Sequence, residues 1–525
     1  MKNRNRFTLI ALVLATIMLF TGCGAPKATE TPSGTQPATT PTATSTGTSE
    51  PKQDMVLRMG IASSLATGDP HMSGLTTVQE VLINIFDPLV RRDSTGALQP
   101  KLALSWKVVE PQIWELKLRE GVKFHNGEPF NAEAVKFSLE RIFKEGSKSP
   151  IQELRSFESV EAVDEYTVRI HTKAPDPRVP DKLALFAGMM VPPKYIQEKG
   201  EEYFNSNPVG TGAFIFKEWV KDSHITMTGN PDYWDEPTKI TELTMKFIPD
   251  SAARVAALLS GDVDIINMVD STTINSIKSN SNLRLDIAEG IRIYYMSTAY
   301  PDGPTANPKV RQAISHAIDY QQLIDSILGG YGLRIPGPFN TSNFGSDVKL
   351  TPYEYNVEKA KSLLAEAGYP NGFDIEMNID SEGSVIGQPI AMMLKQAGIN
   401  VNLKILPDAE YEDKYSQGKL APLWINGYSV WQGDPSTLIE TFFKTGMPRA
   451  KYFSPELDAK IVDMLSTMDI NERKVKLHDV LTILYNDSPW SYLYQANDLF
   501  AVKSSVKWDI PYDRMLEMRT ATITK

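Results

Sequence analysis

The sequence predicts a mixed α/β protein of two or more lobes, and three observations indicate this fold class. The period of the apolar residues switches repeatedly between helical spacing and strand alternation. Units of the strand–helix–strand kind are clearest after residue 300. The folded part is predicted at residues 54–525, which is long enough for two or more lobes of roughly 100–200 residues each.

The N-terminus has the layout of a secretory signal peptide over residues 1–22. Three basic residues precede an apolar run at residues 9–20, which is too short to span a bilayer. Small residues then precede Cys23, the single cysteine of the chain. We therefore expect cleavage before Cys23 and attachment of lipid to its thiol.

The segment 23–53 is rich in Thr, Pro, Ala, Ser and Gly and nearly lacks large apolar side chains. Such a chain cannot bury enough surface to offset the entropy lost on ordering, so it is predicted to be a disordered tether. A signal peptide, a lipid anchor and a tether together predict an extracytoplasmic domain anchored to the outer face of the cell membrane.

Helical spacing of apolar residues and capping residues predict four helices in the folded part. Asn131 and Asn356 are suitable N-caps, and Gly368 is a suitable residue for ending a helix. The predicted helices cover residues 131–144, 308–328, 356–367 and 386–397.

Strand alternation is found in segments between and around these helices. In WINGYSV, it places Trp424, Tyr428 and Val430 on one face and Gly427 and Ser429 on the other. The other predicted strands cover residues 55–61, 113–118, 166–171, 213–218, 224–228, 242–248 and 401–405.

The charge balance and the missing motifs limit the function classes. The net charge is −10 at pH 7, which argues against a nucleic-acid partner. The six histidines form no His-Glu-x-x-His pair, and neither a phosphate-binding G-x-x-x-x-G-K-[ST] nor a G-x-S-x-G motif is present. The sequence therefore predicts a protein that is not an enzyme and has no catalytic residue, metal or cofactor.

Five stretches in order resemble the extracellular solute-binding proteins of ABC importers, family 5, the oligopeptide and dipeptide type. Together they extend over most of residues 55–510. They are residues 98–142 (with GVKFHNGEPFNAEAVKFSLERI), PVGTGAFIFKEW (208–219) followed by NPDYW (230–234), LLSGDVDII (258–266), NPKVRQAISHAID (307–319) and YNVEKAKSLLAEAGYPNGF (355–373).

The resemblance implies a two-lobed clamshell like that of periplasmic binding proteins, with crossing hinge strands near residues 294–298 and 490–494. Lobe I would comprise residues 54–296 with 491–525, and lobe II residues 297–490. The lobes would close over a ligand. The closed form, a monomer, would then dock on an ABC permease that two ATPase subunits drive.

The segment GYSVWQGDPSTL, residues 427–438, is predicted to line the cleft. In peptide-binding members a Gly-Trp-x-x-Asp stretch followed by an acidic-Pro turn supplies the aspartate that anchors the α-amino group. Gly427 and Tyr428 match its first two residues and Asp434 matches the turn, but Trp431 holds the anchor position. The predicted ligand-binding residues are Leu65, His71, Tyr294, Trp424, Gly427, Tyr428, Ser429, Trp431, Asp434, Tyr492 and Tyr494.

Three ligand classes stay open. The usual ligands of the family favour an oligopeptide, with Asp434 or another carboxylate replacing the missing anchor. The flat faces of Trp431, Tyr428 and Trp424 instead suit the rings of an oligosaccharide. A metal chelate is less favoured, because the pocket segments hold no histidine except His71. A sensor without a permease is the alternative from another functional class.

Overall fold

The structure is a computed structural model that describes residues 55–524. The predictions for residues 1–22, Cys23 and the tether up to residue 53 fall outside the described residues. In chain order, the strands are β1 Val56–Ile61, β2 Val90–Arg92, β3 Leu98–Pro100, β4 Ala103–Glu110, β5 Ile113–Leu118, β6 Phe157–Asp164, β7 Thr167–Thr172, β8 Phe214–Val220, β9 His224–Gly229, β10 Glu242–Phe247, β11 Ile265–Ile266, β12 Leu283–Ser297, β13 Gly332–Leu333, β14 Phe373–Ile379, β15 Ile399–Ile405, β16 Leu423–Ser429, β17 Trp490–Lys503, β18 Val506–Lys507 and β19 Thr522–Ile523.

The helices lie between these strands, and α8 to α15 belong to the second half of the chain. They are α1 Thr76–Leu82, α2 Ala132–Phe143, α3 Val179–Lys182, α4 Pro193–Lys199, α5 Glu201–Ser206, α6 Ser251–Ser260, α7 Ile274–Lys278, α8 Pro308–His316, α9 Tyr320–Leu328, α10 Val357–Glu366, α11 Ser384–Gln396, α12 Asp408–Ser416, α13 Ser436–Phe443, α14 Pro455–Ser466 and α15 Ile470–Asp487. None of the helices within residues 55–524 is both long and apolar enough to cross a membrane.

One sheet of eleven strands runs through the described part of the chain. Its strand order is β15-β14-β16-β12-β17-β11-β1-β10-β9-β8, and β13 pairs with β17 beside this path. The pairs β1–β10 and β14–β15 are parallel, whereas β12 is antiparallel to both β16 and β17. A separate antiparallel sheet has the order β4-β5-β7-β6, and two small sheets pair β2 with β3 and β18 with β19.

The long strands β12 and β17 connect the two halves of the large sheet. They pair with each other along most of their length. At one end β17 pairs with β11, and at the other end β12 pairs with β16. The predicted crossings near residues 294–298 and 490–494 fall at the end where β12 meets β16. The lobe boundaries at these crossings stay a prediction.

The buried apolar side chains form separate clusters around these two ends. The first core is built mainly from residues 57–265 and 500–521. The second and third cores are built mainly from residues 293–494. A small fourth core lies between α6, α7 and the end of β17. The apolar surface is thus divided between the two halves of the chain.

Three predicted helices, now α2, α10 and α11, are confirmed, and two of them begin at the predicted caps. The Asn131 side chain accepts a hydrogen bond from the Ala134 amide at 3.1 Å. The Asn356 side chain accepts one from the Lys359 amide at 2.9 Å, and α10 ends before Gly368, whose φ is +93°. Each cap satisfies a backbone donor that the helix itself leaves unpaired.

The fourth predicted helix, residues 308–328, is two helices in the structure. The chain leaves α8 after His316, and α9 begins at Tyr320. The Asp319 side chain accepts a hydrogen bond from the Gln322 amide at 3.0 Å and so caps a new helix. Apolar spacing continues across the break, which is why the pattern alone predicted one helix.

The predicted strands are all confirmed, with ends that differ by one or two residues. In β16, alternation also predicted the faces correctly: Trp424, Tyr428 and Val430 pack in or against the second core, and Ile425 packs in the third.

Candidate functional site

The segment from Gly427 to Asp434 leaves β16 through a tight turn that is fixed to β12. The Val430 amide donates to the Ile291 carbonyl at 3.0 Å, and the Gly433 amide donates to the Val430 carbonyl at 3.1 Å. Gly433 has a φ of +67°, a conformation that glycine adopts at little cost. The direction of the chain after β16 is therefore set by the backbone itself.

The carboxylate of Asp434 is already paired within the fold. Its Oδ2 accepts from Arg473 Nη1 at 2.6 Å, and its Oδ1 accepts from the Ser436 amide at 2.8 Å. Burial raises the pKa of Asp434, but the Arg473 charge more than offsets this and holds the pKa below its usual value. With both side chains buried, Asp434 holds the turn in place and has no open charge for a ligand amine.

Trp431 packs against the first core, although its neighbours along the chain belong to the second. Its ring centroid lies 4.5 Å from that of Phe186, with 29° between the ring planes, and the residue is 8% exposed. Aromatic pairs of this kind contribute about 0.5–1.5 kcal/mol beyond their buried area. One face of the indole is therefore occupied by a side chain from the first half of the protein.

Two arginines from the first half of the chain reach this turn and the helix that follows it. Arg92 donates to the Asp181 carboxylate and to the backbone carbonyl of Gln432. Arg178 Nη1 lies 3.2 Å from a carboxylate oxygen of Glu440 in α13. Together with the Trp431 contact, these bonds join the two halves of the chain at the turn.

A cavity lies on each side of this turn, and both are lined from the two halves of the chain. The cavity of about 550 Å³ is bordered by Tyr428 and Gln432. The cavity of about 650 Å³ is bordered by Gly433 and Asp434. Both volumes fall within the roughly 300–1,000 Å³ that small-molecule sites occupy. The turn is thus the shared wall of two spaces large enough for a solute.

The end of β16 has an open edge beside this turn. Residues 427–429 pair with β12 on one side. On the other side, β14 pairs with β16 only at Leu423 and Trp424. Backbone N–H and C=O groups on an unpaired strand edge can bind another extended chain. On this open side the Gly427 amide already donates to Asn426 Oδ1 at 2.6 Å. The main-chain groups left for a ligand are therefore those of residues 427–429 that bond neither to β12 nor to Asn426.

Arg292 lies over Gly427 and was missed by the sequence reasoning. A Cβ on Gly427 would lie 2.5 Å from Arg292 Nε. Beside it, the Arg292 guanidinium lies 5.2 Å from the centroid of Tyr294, whose hydroxyl donates to Glu382 at 2.8 Å. The signal that could have found Arg292 is a charge within the apolar strand sequence GIRIYYMS, two residues before the predicted ligand-binding residue Tyr294.

Three other predicted aromatics, Trp424, Tyr492 and Tyr494, are buried in the protein. Trp424 and Tyr494 are 5% and 1% exposed. Trp424 packs edge-on against Tyr295 at 5.7 Å, and Tyr494 lies 5.0 Å from Tyr294. The hydroxyl of Tyr492 is buried without a hydrogen-bond partner in the described residues. These three side chains are packed among the cores of the second half.

Leu65 and His71 belong to the interior of the first half. Leu65 is 2% exposed, and His71 is fully buried. The His71 ring donates from Nε2 to the Met189 carbonyl at 2.8 Å and accepts at Nδ1 from Arg141 at 3.1 Å. Burial first, and then the Arg141 charge, lower the pKa of His71 to about 4 against the opposing effect of Asp69. Both ring nitrogens of His71 therefore have hydrogen-bond partners within the fold.

Within residues 55–524, no group of three or more His, Cys, Asp or Glu side chains is arranged to hold a metal ion. The predicted residues that lie at the turn are Gly427, Tyr428, Ser429, Trp431 and Asp434. The residues beside it that the sequence reasoning missed are Arg92, Phe186 and Arg292, with Arg178 at the adjoining α13.

Comparison with known proteins identifies the family of this chain. The family described as "Bacterial extracellular solute-binding proteins, family 5 Middle" matches residues 97–448. The glutathione-binding protein GsiB of Pectobacterium atrosepticum is 29% identical over 457 residues, which cover 84% of this chain and 88% of the relative. The probable D,D-dipeptide-binding periplasmic protein DdpA of Escherichia coli is 27% identical over 487 residues, covering 89% and 93%.

A solved structure gives the same fold. The ABC transporter-associated periplasmic binding protein DppA of Helicobacter pylori, solved with the peptide STSA, matches with a TM-score of 0.77 and 24% identity. The match covers 90% of this chain and 98% of that chain. The predicted two-lobed fold of periplasmic binding proteins is thereby confirmed.

Proposed function

Because the chain belongs to family 5 of the bacterial extracellular solute-binding proteins, we propose that it captures a solute between its two lobes for an ABC importer. The solute would bind at the Gly427–Asp434 turn, and the closed protein, as a monomer, would deliver it to the permease and its ATPase subunits. Contacts of Arg92 and Phe186 with this turn, and of Arg178 with α13 next to it, support the site, because closure would bury a ligand there.

A short peptide is the ligand that the site supports best, and the open edge of β16 is the observation that carries this proposal. A peptide can add to the edge at residues 427–429 by main-chain hydrogen bonds, and its side chains can enter the adjoining cavities. The relatives GsiB and DdpA, whose names state glutathione and D,D-dipeptide binding, support a small peptide-like ligand.

The test is the melting temperature of the purified chain with a panel of di- to pentapeptides and of cello-, xylo- and manno-oligosaccharides. A ligand at 100 times its Kd stabilises the folded state by about 2.7 kcal/mol, which shifts melting measurably. We expect shifts with peptides. If oligosaccharides alone raise the melting temperature, the peptide proposal is wrong, and if no compound does, solute capture itself is in question.

An oligosaccharide is the second candidate, and one cavity favours it. The cavity of about 650 Å³ is lined by Trp106 and Trp114, and the Trp114 indole is held by a hydrogen bond to the Asp176 carbonyl at 3.0 Å. Fixed indole faces can cover the apolar faces of sugar rings. Against this candidate, one face of Trp431 already packs on Phe186.

We also propose that lipid on Cys23 anchors the mature protein to the outer face of the cell membrane. The support is the sequence alone: a short apolar run, small residues and then the single cysteine. Metabolic labelling with a radioactive fatty acid tests it. The wild-type chain should carry label, and label that persists in Cys23→Ser would contradict this anchor.

A further inference from the structure

The cavity of about 550 Å³ is bordered by cationic side chains from both halves of the chain. They are Arg155, Arg178 and Lys182 from the first half and Arg449 from the second. Two of these charges are paired, because Lys182 forms an ion pair with Asp176 and Arg178 lies 3.2 Å from Glu440. For Arg155 and Arg449, residues 55–524 supply no carboxylate within ion-pair distance. We call these two side chains the open arginines.

Arg449 is held at the cavity by aromatic rings. Its guanidinium carbon lies 4.3 Å from the ring centroid of Tyr415 and 5.8 Å from that of Phe442. A ring face attracts a cation but accepts none of its five N–H donors as a carboxylate oxygen does. The side chain is half-buried in this position. Arg449 is thus fixed in place while its charge is not neutralised.

Arg155 is presented from the opposite wall by a short helical turn, Glu153–Ser156. Its amide donates to the Gln152 carbonyl at 3.2 Å, and its own carbonyl accepts from Lys173 Nζ at 2.9 Å. These bonds fix the backbone, whereas the side chain is exposed at the cavity. The two open arginines therefore face one space from the two halves of the chain.

The remaining carboxyl group at the cavity, that of Glu153, does not balance the two open arginines. Its Oε2 accepts from the Gln152 amide at 2.9 Å. Burial raises the pKa of Glu153, which favours the neutral form of the carboxyl group. Two like charges that the two halves bring to one cavity repel each other, and a bound anion removes this repulsion.

We propose that Arg155 and Arg449 together bind a phosphate-like dianion carried by the solute. A guanidinium binds phosphate oxygens by parallel hydrogen bonds. A phosphate monoester has a charge of about −1.5 to −2 and three acceptor oxygens, so it can serve both guanidinium groups, whereas a single carboxylate leaves one charge uncompensated. This inference rests on the proposed function, since it assigns the chemistry of a cavity at the same turn.

Calorimetry with matched solutes tests the proposal. The peptide arm uses alanyl-phosphoseryl-alanine and the same peptide with serine or glutamate in the middle. The sugar arm uses trehalose 6-phosphate and trehalose, so that the two arms distinguish the carriers of the phosphate. In at least one arm, the phosphorylated compound should bind the wild-type protein at least about thirtyfold more tightly than its neutral counterpart. The glutamate peptide should gain less.

Substitutions of the open arginines should remove this gain. Arg155→Gln and Arg449→Gln should each weaken binding of the phosphorylated compound by at least about tenfold and leave the neutral counterpart unchanged. Arg449→Lys, which keeps the charge but not the paired donors, should weaken it by less.

Arg334→Gln is the matched control for Arg449→Gln. The Arg334 guanidinium also lies over a ring, 5.6 Å from the centroid of Tyr320, and has no carboxylate within ion-pair distance in residues 55–524. It does not border this cavity. Binding of the phosphorylated compound to Arg334→Gln should therefore equal binding to the wild type.

The outcomes separate this inference from the proposed function. Equal binding of phosphorylated and neutral compounds, or a gain that survives both glutamine substitutions, overturns the dianion site and leaves solute capture standing. Equal binding of the glutamate and phosphoserine peptides also overturns it, because a single charge is then sufficient. A gain in the sugar arm alone supports the dianion site and contradicts a peptide as its carrier. Binding of none of these compounds overturns the inference, and solute capture fails as well only if the wider panel gives no shift.

Discussion

Single residues at the turn show how far a sequence pattern can predict a site. Gly427, Tyr428 and Trp431 were assigned to the cleft from one motif, and of these three the structure places Tyr428 at the border of a cavity. Asp434 was a candidate anchor, but its partner Arg473 lies in a distant helix, and no local pattern predicts such a pair. Arg292 was missed because its position over Gly427 depends on the pairing of β12 with the distant strand β16.

At the residue scale, burial of His71 predicts that the free energy of unfolding depends on pH. Its pKa is lowered from the model-peptide value of 6.5 to about 4, so below pH 6.5 the unfolded chain takes up a proton that the folded chain does not. Neutral His71 therefore contributes its full stabilisation above pH 6.5. As the pH drops towards 4, the free energy of unfolding falls by on the order of 3 kcal/mol.

Melting temperatures between pH 7 and pH 4.5 check this expectation. His71→Gln should flatten the fall, whereas His171→Gln, on the half-exposed ring that faces Glu161, should leave it as steep as in the wild type. An equally steep fall in His71→Gln would show that other groups cause the pH dependence.

At the scale of elements, local signals were sufficient for most helices and strands. Asn131 and Asn356 cap helices because short polar side chains satisfy free amides, and this requires no tertiary information. The break between α8 and α9 was not predicted, because the apolar face is continuous and the competing signal is the single residue Asp319. The eleven-strand sheet order could not be predicted from local patterns, since it depends on pairings between distant segments.

Asp319→Ala tests whether this residue is what restarts the helix. Loss of the hydrogen bond to the Gln322 amide should destabilise α9 by about 1 kcal/mol. Hydrogen exchange should therefore become faster in Tyr320–Leu328. The control is Asp302→Ala, in an exposed loop, which should leave exchange in α9 unchanged. Unchanged exchange in Asp319→Ala would mean that tertiary packing alone starts the helix.

At the scale of the whole molecule, the strands β12 and β17 connect two sets of cores, and the contacts at the turn bring the two halves together. Trp431 is the clearest such contact, because it stacks on Phe186 of the first core. Trp431 was predicted as a ligand-binding residue from its motif position. That role stays a prediction, and the structure shows the ring packed on the first half of the chain.

Removal of the Trp431 ring should favour an open arrangement, in which the two halves of the chain lie farther apart. The aromatic contact contributes about 1 kcal/mol beyond its buried area. Trp431→Ala should therefore raise the ratio of open to closed molecules by at least about fivefold. Small-angle X-ray scattering of the ligand-free protein should then give a larger radius of gyration than the wild type. Trp219→Ala, on the edge strand β8, is the control and should not change it. An unchanged radius for Trp431→Ala would show that other contacts hold the halves together.

The most direct test of solute capture at the turn is a crystal structure grown with the compound that gives the largest melting shift. The ligand should lie between the two halves, with main-chain hydrogen bonds to residues 427–429. A ligand bound elsewhere, without contact to the turn, would contradict the account.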